Sequence, residues 1–268
     1  MARYDDGGFG GHPAGPPQLP PVWLVGAGPG DPELLTRKAE RLIGEAGVIL
    51  HDALVSPEIL ALASPRAEII NVGKRCGQHS MRQSEINALL VAKAQTGRRV
   101  IRLKGGDPAF FSRASEEIGC LEKQGFDVHI CPGITAASGA AASAGISLTE
   151  RGTARGVRFL TGRLADGEAN TLVQAAGEGE TIILYMAKGS AADICTDFLM
   201  SGMAPDIPVL IVENATLANE RVIRTTLEGV TFMDLSRLSG PAVTMIGEAV
   251  DASRMVTRIS YSKMLKVA

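Results

Sequence analysis

The chain has 268 residues, enough for one large domain or two smaller ones. Its formal net charge of -2 excludes a globally basic nucleic-acid binder, and 45% apolar with only 4% aromatic residues points to a core of Val, Ile, Leu, Ala and Met. No apolar run approaches the ~20 residues of a membrane-spanning helix, and neither the cysteines (Cys76, Cys120, Cys131, Cys195) nor the histidines (His12, His51, His79, His129) show CxxC or HxxxH spacing. No metal site is expected, and the cysteines read as reduced and structural.

Residues 1–21 are rich in Gly and Pro and bury too little apolar surface to offset their ordering entropy, so they read as a disordered tail. They lack a signal-peptide apolar region, and a cytoplasmic protein is expected. From Val22 short β-rich runs alternate with helical patterns. VWLV (22–25) reads as a buried strand, followed by a glycine turn and then by apolar residues at helical spacing from Leu34 to Ala46. VILH (48–51) and EIINV (68–72) are the next strands. Residues 84–96 read as a helix, with Ser84 as N-cap and Gly97 as the stop. RVIRL (99–103), a helix over 114–124 and DVHI (127–130) follow.

The pattern restarts after Pro132. Residues 135–144 are small and Ala-rich, suited to close helix packing. VRFLT (157–161), TIILYM (181–186), PVLIV (208–212), RVIRT (221–225) and AVTMI (242–246) read as strands. This alternation predicts an α/β fold with largely parallel sheets, split into an N-terminal α/β domain over 22–132 and a C-terminal one over 133–268. RVIRT follows PVLIV too closely for a helical crossover, so the second sheet is expected to be mixed.

In open α/β sheets ligands bind beyond the carboxyl ends of the strands. Five successive predicted strand ends here carry Gly, Asp, Lys or Thr: GAGPGD (26–31), Asp52, GKR (73–75), KGGDP (104–108) and GITAAS (133–138). That recurrence predicts one cleft. GAGPGD alone is ambiguous between a dinucleotide-like fingerprint and a plain strand-to-helix turn, because Pro29 and Asp31 depart from GxGxxG. In KGGDP, Gly105 and Gly106 free the backbone beside Asp107. An acid there disfavours phosphate and suits a ribose hydroxyl or an amino group, unless Asp107 caps a helix. Residues 74–104 also hold eight cations against the single acid Glu85. Lys93, Arg98 and Arg99 read as solvated helix face. Lys74, Arg75, His79, Arg82 and Arg102, joined by Arg113, Arg151 and Arg155, read as a site for a small polyanion. No aromatic stacking platform accompanies the charge, so nucleic acid is disfavoured.

These residues carry a resemblance. VGAGPGDPELLT (25–36), HDALVS (51–56), VGKRCGQHSMRQSEIN (72–87), VIRLKGGDP (100–108) and PGITAASGAAASAGISLTERG (132–152) resemble the uroporphyrinogen-III C-methyltransferases of the tetrapyrrole methylase family. The resemblance implies two α/β domains with the active-site cleft between them, a homodimer, and S-adenosylmethionine as methyl donor. It implies two successive methylations of uroporphyrinogen III to precorrin-2, a step toward sirohaem, cobalamin or haem d1. By motif position it places the cofactor at Pro29, Gly105, Gly106, Asp107, Phe110, Thr135, Ala136, Met186 and Ala215. It places a proton acceptor at Asp52 and a proton donor at Lys74. By charge alone Asp52 is equally suited to stabilising a cation, and Lys74 to binding a carboxylate. Substrate carboxylates are assigned to Arg75, His79, Arg82, Arg102, Arg113 and Arg151.

The chain departs from the family pattern where Ser112, Ala114 and Ser115 stand for glycines, where Phe110 replaces an aliphatic residue and Ala187 a glycine, and where His51 replaces a common tyrosine. Loss of those glycines is expected to stiffen the loop beside the cofactor. Two other readings are a related methylase of a later corrin intermediate and a non-catalytic tetrapyrrole-binding sensor. A nucleotide-dependent dehydrogenase is disfavoured by the acidic KGGDP turn.

Overall fold

The computed structural model describes residues 19–73, 81–162 and 179–251. Most of the expected tail, together with Lys74, Arg75, Cys76 and His79, lies outside these residues. The first half contains β1 (Val22–Gly26), α1 (Arg37–Gly44), β2 (Val48–His51), α2 (Pro57–Leu60), β3 (Glu68–Asn71), α3 (Gln83–Ala94), β4 (Val100–Lys104), α4 (Ala114–Glu122) and β5 (Val128–Cys131). The second contains α5 (Ala136–Ala144), β6 (Gly156–Thr161), β7 (Glu180–Tyr185), α6 (Ala191–Met200), β8 (Pro208–Glu213), β9 (Arg221–Thr226), α7 (Leu227–Thr231) and β10 (Ala242–Ile246).

The first sheet runs β3-β2-β4-β1-β5 with every pair parallel. Successive side chains of a strand point to opposite faces, so each strand feeds two cores. Val25, Ile49, Ile101 and Leu103 pack with Ala39, Leu42 and Ile43 of α1 and Ile59 of α2. Val22, Val48, Leu50 and Val100 pack with Ile86 and Leu90 of α3 and Leu121 of α4. Helices on both faces define the doubly wound α/β arrangement.

The second sheet runs β6-β7-β10-β8-β9. It is mixed, as the short β8–β9 connection predicts, but it corrects the expectation of largely parallel sheets. Only β6–β7 is parallel; β10 pairs antiparallel with both β7 and β8, and β8 with β9. The cause is long-range: β10, the last described strand, inserts between β7 and β8. Ile182, Leu184, Ile211 and Ile246 face α6 and α7, while Ile183, Leu210, Val212 and Met245 face α5.

Helix α3 corrects a local reading. Its N-cap is Arg82, whose backbone N–H donates to the Glu85 carboxylate at 2.5 Å, and Ser84 lies within the first turn. Gly97 follows the helix in the left-handed region at φ 72°. Burial of Cys195 pushes its thiol up to about 12, so it is a core residue and no nucleophile at neutral pH.

The carboxyl ends of β1, β4 and β5 meet backbone to backbone. Gly28 N–H donates to Gly106 O at 3.1 Å and Gly106 N–H returns the bond to Gly28 O at 2.7 Å. The two glycine turns read separately in the sequence are therefore one hydrogen-bonded unit. A Cβ on Gly133 would lie 2.3 Å from Gly106 O and 3.0 Å from the Gly26 backbone, so no side chain fits there. Gly133→Ala is expected to cost about 2–3 kcal/mol through overpacking, read as a lower urea midpoint at unchanged m-value.

Candidate active site

The cleft opens above this glycine contact and has a volume of about 350 Å³, at the small end of ligand pockets. Both halves of the chain line it. Pro29 comes from the turn after β1, and Gly105, Gly106, Asp107 and Phe110 come from the segment after β4. Thr135 and Ala136 come from the start of α5, Met186 from the end of β7 and Ala215 from the end of β8. All nine expected cofactor positions thus face one cavity, and Asp52 joins them from the end of β2.

Side-chain bonds brace this lining. Asp107 is 9% exposed; its Oδ1 accepts the Ala109 N–H at 2.7 Å and its Oδ2 the Gly133 N–H at 3.0 Å. It therefore ties the KGGDP turn to the turn after β5 as well as facing the cleft. Tyr185 OH lies 2.5 Å from Thr135 Oγ1 and accepts the Ala137 N–H at 3.0 Å, capping α5, which Thr135 does not do with its own side chain. Burial raises the Tyr185 pKa. Across the cleft, Asp31 N–H donates to Thr216 Oγ1 at 3.2 Å.

Five non-glycine residues hold positive φ: Phe111 (47°), Arg113 (59°), Met186 (53°), Asn214 (52°) and Thr216 (68°). Phe111, Met186 and Asn214 line the cleft. Backbone held in that region costs on the order of 1–3 kcal/mol per residue and gathers where a ligand site over-determines it. Ser112, Ala114 and Ser115 are not among these residues, so losing glycines there imposes no left-handed strain. Ala114 and Ser115 instead open α4.

Arg102 requires a correction. It does not face the cleft: it is 3% exposed and shares the α3/α4 face of β4 with Val100 and Lys104. Its Nε donates to Glu117 Oε1 at 3.0 Å, its Nη1 to Leu103 O at 3.1 Å, and its Nη2 to Asp52 Oδ1. Glu117, on α4 and 1% exposed, accepts Lys104 Nζ at 2.8 Å through Oε2. Two cations and two carboxylates therefore neutralise one another, and Asp52 is the member that reaches the cleft. Burial opposes the Arg102 charge, but Asp52 and Glu117 outweigh it and raise its pKa. Lys104 shifts the other way, lowered first by burial and then by the nearby Arg102.

The other expected substrate cations are placed elsewhere. Arg82, Arg113 and Arg151 are exposed and absent from the cleft lining. Arg113 forms a two-pronged pair with Glu116, both contacts at 2.7 Å; that pair raises the arginine and lowers the carboxylate. Sequence reasoning missed Lys188, a cation that does line the cleft, and the aromatic residues Phe111, Phe159 and Tyr185 that group with the expected Phe110, with ring centroids 5.0–6.2 Å apart.

The fold and cleft define a two-sheet α/β protein with a ligand-sized cleft lined by both halves of the chain. Residues 21–231 match the family described as Tetrapyrrole (Corrin/Porphyrin) Methylases, and the chain belongs to that family. It is 46% identical over 231 residues to a siroheme synthase of Acinetobacter baylyi, covering 85% of this chain and 50% of the relative. It is 43% identical over 236 residues to a chloroplastic S-adenosyl-L-methionine-dependent uroporphyrinogen III methyltransferase of Arabidopsis thaliana, covering 87% of this chain and 64% of that one. The chain thus spans about half the length of the siroheme synthases it matches. Among solved structures it resembles a Thermus thermophilus uroporphyrin-III C-methyl transferase complexed with S-adenyl homocysteine (TM-score 0.75, 40% identity, 87% of this chain and 94% of that chain). A cobalt precorrin-4 methyltransferase is equally similar in shape, with TM-score 0.75, but only 29% identical over 86% of this chain and 95% of its own.

Glu117→Gln is expected to cost about 3 kcal/mol, because it leaves Arg102 and Lys104 buried without the anion between them. Arg113→Ala, which breaks an exposed pair, is expected to leave the urea midpoint unchanged within error.

Proposed function

We propose that the chain is an S-adenosylmethionine-dependent C-methyltransferase that methylates uroporphyrinogen III twice, giving precorrin-2. The observation that carries this reading is the convergence of all nine expected donor-binding positions on one cleft with Asp52 at its edge. The higher identity to the uroporphyrin-III enzyme than to the precorrin-4 enzyme favours this substrate over a later corrin. What the remaining half of each siroheme synthase does is not carried over. We further read the chain as two domains divided near Pro132, where β5 ends at Cys131 and α5 joins the core of the second sheet. A homodimer working in the cytoplasm belongs to the same reading. Among the described residues no helix is long and apolar enough to cross a membrane, and Cys120, Cys131 and Cys195 are free.

The cleft fits the donor. Its mainly apolar floor and glycine turns allow close approach, and its acids disfavour a phosphate-bearing cofactor. When bound there, S-adenosylmethionine supplies an electrophilic methyl group. The chain's own contribution is first to hold the two reactants in line, a term able to supply roughly 7–11 kcal/mol of a barrier. A pyrrole carbon that takes the methyl group leaves positive charge on the macrocycle until a proton is lost. Asp52 is 29% exposed, with Oδ1 held by Arg102 and Oδ2 without a hydrogen-bond partner among the described residues. It presents a fixed carboxylate oxygen to stabilise that cation and receive its proton. Lys74, outside the described residues, keeps its proposed role as proton donor or carboxylate ligand. The same holds for Arg75 and His79 as carboxylate ligands.

The direct test is anaerobic incubation with S-adenosylmethionine and enzymatically prepared uroporphyrinogen III, followed by mass spectrometry. A gain of two methyl groups is expected. A tetrapyrrole that binds and gains none makes the protein a sensor. Asp52→Asn is expected to lower kcat by about 10²-fold while S-adenosylhomocysteine binding stays within twofold by calorimetry.

A further inference from the structure

Lys188 stands apart among the charged groups of the cleft. Asp52 is engaged by Arg102, and Asp107 by two backbone N–H groups. Lys188 donates to the carbonyl of Leu238, and weakly to that of Gly240 at 3.5 Å. No carboxylate among the described residues lies within ion-pair distance of it, and it is the only cation among the described residues that line the cleft. Two carbonyl dipoles orient an ammonium group but do not neutralise it. A partly buried charge of that kind favours an anionic partner.

The surroundings hold this cation in place. Met186 turns the chain through the left-handed region at φ 53°, and Ala187 is 2% exposed, packed in the α6 core of the second sheet. The segment that carries the two carbonyls is fixed by the fully buried Glu213, whose Oε1 accepts Gly240 N–H at 2.7 Å and Ser239 Oγ–H at 3.1 Å. Asn214 N–H donates to Pro241 O at 2.9 Å. Lys188 is thus aimed by built structure and does not sweep freely through solvent.

We propose that Lys188 binds an aliphatic carboxylate of a ligand in the cleft. Within the reading above, which this inference deepens, that carboxylate belongs either to the amino-acid end of the methyl donor or to a side chain of the tetrapyrrole. Lys188 is then a binding and specificity residue, with no part in proton transfer.

The test compares wild type, Lys188→Met and Lys188→Arg by calorimetry. The probes are S-adenosylhomocysteine, the same thioether lacking its carboxylate, and uroporphyrin III as a stable octacarboxylate. If the donor supplies the carboxylate, Lys188→Met weakens S-adenosylhomocysteine about tenfold and leaves the decarboxylated thioether unchanged. If the tetrapyrrole supplies it, uroporphyrin III weakens by a similar factor and both thioethers are unchanged. In either case Lys188→Arg stays within about threefold of wild type, because the charge is kept. The proposal is overturned if Lys188→Met changes no affinity, or weakens both thioethers alike, which would make the lysine a clamp for residues 238–240. These binding measurements do not depend on turnover. A wild-type protein that shows the Lys188 effect yet transfers no methyl group overturns the activity reading alone.

Discussion

The structure depends on one close backbone contact. Gly26 and Gly133 meet the Gly106 carbonyl at the carboxyl edge of the first sheet, at distances no Cβ on either of the two tolerates, and Gly106 itself holds a φ of 69°. The paired bonds between Gly28 and Gly106 join two turns that lie 78 residues apart in the chain. With side chains removed from this edge, the backbone itself forms the floor of a cleft. The second sheet then closes over that floor through Met186, Ala215 and Pro241. Asp107 connects the two features, since its carboxylate bonds to Gly133 and also faces the cavity.

Below the floor, electrostatics and packing solve a common problem. A strand buried on both faces has no natural place for Arg102 and Lys104, yet β4 carries both. Glu117 from α4 accepts a bond from each, and Asp52 takes the remaining guanidinium arm. A buried ion pair of this kind is weak evidence for added stability, because desolvation offsets much of the attraction. Its clearer consequence is positional: the one carboxylate of the group that reaches the cleft is fixed by a rigid, buried partner. The Asp52 carboxylate is held by the same residues that make the sheet-to-helix packing neutral.

The regular elements were legible in the sequence because local periodicity dictates them. Val22 to Gly26, Val48 to His51 and Ala242 to Ile246 are mainly apolar runs, and the structure moves their limits by at most one residue. The cleft positions were legible because they lie next to strand ends. What failed depended on contacts distant in sequence. Arg102 lies near a strand end and looks available, but strand parity turns it toward Glu117, fifteen residues on. Ser84 looked like the natural cap, yet the reach of Glu85 to Arg82 N–H starts α3 earlier. The antiparallel pairs that β10 makes with β7 and β8 follow from its inserting between two earlier strands, which no local pattern encodes. Lys188 escaped notice because its carbonyl partners lie 50 and 52 residues away.

The central claim is that the glycine contact and the second sheet together form the methyl-donor site, with Asp52 beside the reacting centre. A crystal structure of the protein with S-adenosylhomocysteine tests it most directly. The account predicts the ligand over Gly105 and Gly106, touching Thr135 from α5 and Ala215 from the second sheet, with its sulfur on the side open to Asp52. A ligand bound by one half alone, or one whose sulfur is turned away from Asp52, would contradict it.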